Sequence, residues 1–210
     1  MASIAVASRK KLLSVPAVAG AGFLVSWAAG LSVSVPSPGF GASGSAIVRD
    51  YAGHGGAAAV QFLLTEGLPA AALALVPLAL GRAARWSRAG RIAAGAGLVA
   101  AAISLAQFAI GLALVATSTP GTAHALLEAL NRADGVKMFF LAAVGAAGAI
   151  AGVLPRWLNY AGFALAAAIA GSGIGYALLL TGVATLAYVS LPLLILFVTG
   201  SGLALARKAR

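Results

Sequence analysis

Residues 56–80 read GAAAVQFLLTEGLPAAALALVPLAL, an apolar run with a single acidic residue, Glu66, near its middle. About 20 predominantly apolar residues are enough to cross the hydrocarbon core of a bilayer as a helix, and this run is longer. A carboxylate at the centre of such a helix costs about 2.5–3.5 kcal/mol on insertion scales. The run therefore predicts a transmembrane helix in which Glu66 has a partner or a function, with a kink near Pro69.

Composition extends this prediction to the whole chain. Hydrophobic residues make up 61% of the 210 residues and charged residues 9%, whereas a soluble domain carries about 25% charged residues. The apolar runs are also much longer than the alternating strands of a membrane barrel, which have about ten residues. We therefore expect an all-α polytopic transmembrane bundle of six helices, with residues 1–210 forming a single transmembrane domain. The predicted spans are 12–33, 57–80, 92–116, 135–154, 158–180 and 184–205.

The first of these spans also resembles the apolar core of a signal peptide. Its apolar run is longer than the roughly 7–15 residues of such a core, so we interpret it as a retained helix.

The basic residues are distributed unevenly between the two sides that six spans define. Of the 14 Lys and Arg residues, eleven fall on one side and three on the other. The larger group comprises Arg9, Lys10, Lys11, Arg82, Arg85, Arg88, Arg91, Arg156, Arg207, Lys208 and Arg210, and the smaller group comprises Arg49, Arg132 and Lys137. The positive-inside rule then predicts cytoplasmic N- and C-termini and outer loops at 34–56 and 117–134 in a multi-pass membrane protein. Basic loops of this kind are expected to contact anionic membrane lipid rather than nucleic acid.

Polar residues outside the spans are concentrated on the predicted outer side. Asp50, His54, His124, Glu128 and Asp134 fall in or beside the two outer loops. His124 and Glu128 lie four residues apart on a short amphipathic helix predicted over 123–133. Two histidines in separate loops form no recognised zinc motif, so we predict a solvated face, no metal site and no cofactor. The absence of cysteine excludes thiol chemistry.

Polar residues on several spans are predicted to converge on one pocket. At 1.5 Å per residue, three of them lie roughly 12–14 Å below the outer ends of their helices, and others lie shallower. The set comprises Glu66, Gln107 and Ser172 at depth, with Gln61, Lys137, Tyr176, Tyr188 and Ser190 around or above them. Apolar walls with a few convergent polar groups are typical of a ligand site, with Glu66 as the proton donor or acceptor.

Structural interpretations stand beside this pocket. A neutral Glu66 hydrogen-bonded to Gln107 would join two helices, an interaction worth about 0.6 kcal/mol on average. Asp134 would cap the N-terminus of the fourth span, and Lys137 would pair with it at i,i+3 or extend outward. In the functional interpretation, Lys137 holds an anionic group at the pocket mouth or partners Glu66.

Small residues on the later helices permit close helix contact. Gly148 and Gly152, like Gly171 and Gly175, form small-xxx-small pairs. We expect these faces to pack within the bundle, with a homo-oligomer as the alternative.

The leading functional prediction is binding of a small apolar or amphipathic molecule in a pocket open to the outer leaflet. One alternative is an intramembrane acid/base enzyme, similar in chemistry to terpenoid cyclases or isomerases, that uses Glu66. A small proton-coupled exporter and a structural or accessory membrane subunit are the others. No nucleotide loop, Ser-His-Asp order or HExxH motif is present, so the sequence leaves open whether the chain is an enzyme.

Two segments carry a family resemblance. Residues 130–138, LNRADGVKM, and residues 154–158, LPRWL, are followed by a Gly-rich span that ends near Tyr176. Together they resemble uncharacterised actinobacterial integral membrane proteins of about this length. The resemblance implies a six-helix fold and a location in a bacterial plasma membrane, and it transfers no activity or site residue.

Overall fold

The computed structural model describes residues 2–208, with side chains from residue 15 onward, and the regular secondary structure of this part of the chain is helical. The helices are α1 (Ala2–Ser32), α2 (Gly44–Tyr51), α3 (Gly55–Phe62), α4 (Leu68–Ala83), α5 (Arg88–Ala116), α6 (Pro120–Ile150), α7 (Arg156–Ala177), α8 (Thr181–Ala184) and α9 (Ala187–Lys208). A π-helical turn, Leu63–Gly67, joins α3 to α4 without a break.

Six of these helical stretches are long and apolar enough to cross a membrane. They are Val15–Ser32, Gly55–Ala83, Arg88–Ala116, Pro120–Ile150, Arg156–Ala177 and Thr181–Lys208. The predicted all-α six-helix bundle is therefore confirmed, and the chain has the architecture of a multi-pass membrane protein.

The bundle is held together by contacts between helices that are adjacent in sequence and by the packing of the last helix on the first. Helix α6 packs between α5 and α7, α4 packs on α5, and α9 closes the bundle against α1 and α7. Leu80, Leu158, Leu165 and Phe197 are at most 1% exposed at the centre of the main core. Close approach depends on small residues, since a Cβ at Gly145 would lie 2.8 Å from the backbone oxygen of Gly162 in α7.

The fourth span differs most from its predicted boundaries. In place of an outer loop over 117–134 and a span beginning at 135, α6 runs without interruption from Pro120. Its polar residues find partners on the helix itself: Asn131 Nδ2 donates to Leu127 O at 2.9 Å, and Arg132 pairs with Glu128 at 2.7 Å. Asp134 therefore lies in mid-helix, and its predicted role as an N-terminal cap is wrong.

The segment predicted as the outer loop 34–56 contains helix α2. The Ser43 hydroxyl accepts a hydrogen bond from Ala46 N and so caps its N-terminus. Ile47 and Tyr51 are buried in a second, smaller core with α3, α5 and α6. Burial raises the pKa of the Tyr51 phenol above its ordinary value, and the negative charge of Asp50 adds to this effect.

The opposite end of the bundle carries the tight turns and most of the arginines. We call it the basic end and define it by the α4–α5 turn at residues 84–87, the α6–α7 turn at 151–155 and the C-terminal turn of α9. Gly152 has φ +70 in the second turn, and a Cβ there would meet no atom within 4 Å. It therefore serves the turn and not a helix contact, whereas Gly148 packs against Phe197 and Leu80 within the chain.

Candidate functional site

Glu66 lies in the π-helical turn Leu63–Gly67. The turn places the amide of Leu68 on Leu63 O. Leu64 O then has no backbone donor, because the next residue, Pro69, lacks an N–H. The Ser26 hydroxyl of α1 supplies the missing donor, with a hydrogen bond to Leu64 O at 2.5 Å. Single π turns within α-helices occur frequently at functional sites, and this one carries the acidic residue of the span.

The Glu66 carboxyl group is paired with Lys137 of α6. Lys137 Nζ lies 2.8 Å from Glu66 Oε2 and 3.0 Å from Glu66 Oε1. The same ammonium lies 2.8 Å from Asp134 Oδ1, one turn earlier on α6. Glu66 is 9% exposed and Lys137 is 6% exposed, so this ion pair is closed off from its surroundings. The predicted i,i+3 pair of Asp134 and Lys137 is confirmed, and the geometry also brings Glu66 to Lys137.

Helix α5 supplies two further polar side chains to this cluster. The Ser104 hydroxyl donates to Glu66 Oε2 at 2.5 Å. Gln107 Nε2 donates to Asp134 Oδ1 at 3.3 Å and to Leu130 O at 3.2 Å. Gln107 is fully buried, and its Oε1 has no hydrogen-bond partner among the described residues. We call Glu66, Ser104, Gln107, Asp134 and Lys137 the acidic centre.

The acidic centre has more carboxyl groups than cations. Two carboxyl groups face one ammonium, so the centre carries a formal charge of −1 when all three groups are ionised. Ionised groups inside a membrane are rare and are paired with one another or line a functional path. A cluster with one carboxylate in excess can take up one proton and become neutral, and this is the chemistry that its composition offers.

The other residues predicted to line the pocket make separate contacts. Ser172 bonds Ser190 at 3.0 Å across the α7–α9 interface, and Gln61 Nε2 approaches Val33 O, the residue that follows α1, at 3.4 Å. Tyr176 is half-buried against Phe40, with ring centroids 5.2 Å apart in an edge-on arrangement. Tyr188 is 84% exposed. Among the contacts of the described side chains, the predicted deep set therefore divides into the acidic centre and a serine pair.

The polar residues predicted for the outer side lie away from this centre, except Asp134. Asp50 approaches Arg49 at 3.9 Å, and Glu128 forms its exposed pair on α6. His124 Nδ1 lies 3.1 Å from Ala42 O, and His54 precedes α3. Over residues 15–208 no three His, Asp or Glu side chains are close enough together to share a metal ion.

Three apolar clefts lie on other parts of the bundle. The first, of about 850 Å³, and the second, of about 830 Å³, both reach Lys208 at the basic end. The third, of about 540 Å³, lies between α1 and α4. No residue of the acidic centre lines any of these three clefts.

Comparisons of this chain with protein-family models, with curated proteins and with solved structures found no match. The function is therefore argued from the geometry of the acidic centre and from the membrane-spanning build of the chain.

Sequence reasoning identified Glu66, Gln107, Asp134 and Lys137 but left Ser104 out of the candidate site. The available signal was its spacing, because Ser104 and Gln107 are three residues apart and share a helix face. The π-helical turn had no comparable signal beyond the proline that follows it.

Proposed function

We propose that the protein is a small proton-coupled transporter of a bacterial plasma membrane, in which the acidic centre takes up and releases one proton. The observation that carries this proposal is the sharing of one buried lysine ammonium by the buried carboxyl group of Glu66 and the partly buried carboxyl group of Asp134. A single carboxylate would balance the ammonium, and the second gives the centre a place for an exchangeable proton.

A purely structural role does not account for two carboxyl groups around one ammonium. Buried ion pairs are weak sources of stability, and apolar residues of similar volume are often neutral or better replacements. An additional, partly buried carboxyl group adds a desolvation cost with no packing advantage. The excess of one carboxyl group therefore supports a functional role for the acidic centre over a role that only joins helices.

Proton exchange would alter the contacts that join two parts of the bundle. Glu66 belongs to the π turn between α3 and α4, whereas Lys137 and Asp134 belong to α6. A proton on Glu66 removes the charge that attracts Lys137, which weakens the link between these helices. Asp134 still holds the ammonium in that state, so the lysine never lacks a counter-ion. The two carboxyl groups thus allow Lys137 to change partner without exposing an unpaired charge.

The substrate step is the binding of a small amphipathic molecule at the opened centre. The helices around the centre present apolar walls. Once Glu66 gives up its proton in the opened centre, its carboxylate favours a cationic group. A small amphipathic cation is therefore the substrate class that we propose, and it would exchange with the proton.

The test uses the purified chain reconstituted in liposomes with an imposed pH gradient and a fluorescent amphipathic cation. We expect gradient-dependent movement of the dye with the wild type and its loss in Glu66→Gln and Asp134→Asn. The matched control is Glu128→Gln, which removes an exposed carboxyl group from α6 and should preserve transport.

Two results would overturn the proposal. One is transport by Glu66→Gln at the wild-type rate, which would show that no proton on Glu66 is required. The other is the absence of any gradient-dependent flux, of dye or of protons, in wild-type liposomes that contain folded protein.

A further inference from the structure

The first apolar cleft is built by four separate parts of the chain at the basic end. Its walls come from Val15 and Pro16 of α1, from the last two turns of α4, from the α6–α7 turn and from the end of α9. Its volume is about 850 Å³, within the range of about 300–1,000 Å³ that is usual for small-molecule sites. Its mostly apolar walls suit a hydrocarbon chain from the surrounding membrane.

Two cations from different helices line this cleft. Arg82 ends α4 and Lys208 ends α9, and the other lining residues are apolar or small. Lys208 Nζ donates to Val153 O of the α6–α7 turn at 2.8 Å, which fixes the ammonium at the rim. An ammonium has three N–H donors, so this bond uses one of them.

The chain has no acidic side chain with which to balance these cations. It contains four Asp and Glu residues in total. Glu66 and Asp134 contact Lys137, Asp50 contacts Arg49 and Glu128 contacts Arg132, all away from the basic end. None of the four acidic side chains therefore pairs with Arg82 or Lys208, and an anionic group of another molecule can supply a negative charge at the rim of the cleft.

We infer that the cleft binds one anionic phospholipid, with its phosphate between Arg82 and Lys208 and an acyl chain along the apolar walls. Charge complementarity selects the headgroup, because a zwitterionic lipid offers no net charge to the two cations. The cleft selects a lipid over a free anion, because its walls can only be covered by hydrocarbon. This site is independent of the acidic centre and does not require proton coupling.

Native mass spectrometry of the intact chain tests the inference, with phosphatidylglycerol and phosphatidylcholine of identical acyl chains supplied in equal amounts. We expect the wild type to retain one phosphatidylglycerol in preference to phosphatidylcholine. In Arg82→Gln/Lys208→Gln this preference should fall about 25-fold, roughly fivefold for each cation removed. Ala83→Trp, which adds a large side chain inside the cleft without changing charge, should also release the lipid.

The matched control is Arg88→Gln/Arg91→Gln, which removes the same charge from exposed positions of α5 that do not line the cleft. The control should retain the lipid. Equal loss in the control would show a diffuse electrostatic effect and overturn the site. Equal retention of phosphatidylcholine by the wild type, or thermal stabilisation by inorganic phosphate as large as that by phosphatidylglycerol, would also overturn it.

Discussion

Replacing Lys137 by methionine is the sharpest perturbation of the acidic centre. The change keeps an unbranched side chain and removes the ammonium that lies 2.8 Å from both Glu66 Oε2 and Asp134 Oδ1. Removing one partner of a buried ion pair costs about 3–5 kcal/mol, because the remaining charge is left uncompensated. Lys137 is 6% exposed and contacts two carboxyl groups, so we expect a loss within this range at neutral pH. The loss of unfolding free energy should be smaller at acid pH, because protonation neutralises the two carboxyl groups that Lys137 would otherwise compensate.

The assay is reversible unfolding in mixed micelles, with the free energy of unfolding compared at neutral and acid pH. The control on the same helix is Arg132→Met, which breaks the exposed pair with Glu128 and should cost about 0.3–0.5 kcal/mol. Lys137→Met/Glu66→Gln should be more stable than the sum of its single variants implies, with a coupling energy of about 0.5–3 kcal/mol. If Lys137→Met costs no more than Arg132→Met at neutral pH, the reasoning about the acidic centre is refuted.

Three further perturbations test the features that position the site. Ser26→Ala leaves Leu64 O buried without a donor and should lower the free energy of unfolding by about 1–3 kcal/mol, measured in the same assay; an effect near zero would show that the π turn does not need α1. Gly135→Ala places a Cβ 2.8 Å from a backbone oxygen of α7 and should cost about 1–3 kcal/mol, whereas Gly121→Ala on the same helix meets nothing within 4 Å and should be neutral or stabilising. Tyr51 keeps its proton to higher pH in the folded chain than in the unfolded chain, so stability should fall as pH rises above about 10; Tyr51→Phe should flatten the alkaline limb of a melting-temperature profile, and an unchanged limb would contradict this assignment.

The positions of the spans follow from the sequence because hydrocarbon thickness fixes the length of an apolar helix. The N-terminal half of α6 is the region where the predicted span boundary differs from the structure. Its polar residues predict an outer segment with a separate short helix over 123–133, since Asn131, Arg132 and Asp134 interrupt the apolar pattern. In the structure these side chains bond to their own helix or to Gln107, so the helix continues through them.

The candidate site could be predicted in part for the same reason. The depth of Glu66 and Gln107 along their helices follows from the helical rise, and the Asp134–Lys137 pair follows from i,i+3 spacing. Depth does not determine which face of a helix meets which neighbour. For this reason Ser172, predicted at the same depth, bonds Ser190 and not a member of the acidic centre.

Lys137 shows most directly what the sequence alone cannot predict about the site. Its sequence neighbour Asp134 is an obvious partner, whereas Glu66 lies 71 positions away and becomes a partner only through helix packing. The excess carboxyl group, on which the functional proposal rests, exists only when both contacts are seen together.

The central claim is that the acidic centre holds one exchangeable proton, and infrared difference spectroscopy across a pH titration tests it most directly. The account predicts that the wild-type protein shows one buried carboxyl group whose protonation state changes in the course of the titration. That signal should disappear or shift in Glu66→Gln and in Asp134→Asn and remain unchanged in Glu128→Gln. A wild-type spectrum with no buried carboxyl group that titrates, or a signal unaffected by both Glu66→Gln and Asp134→Asn, would contradict it.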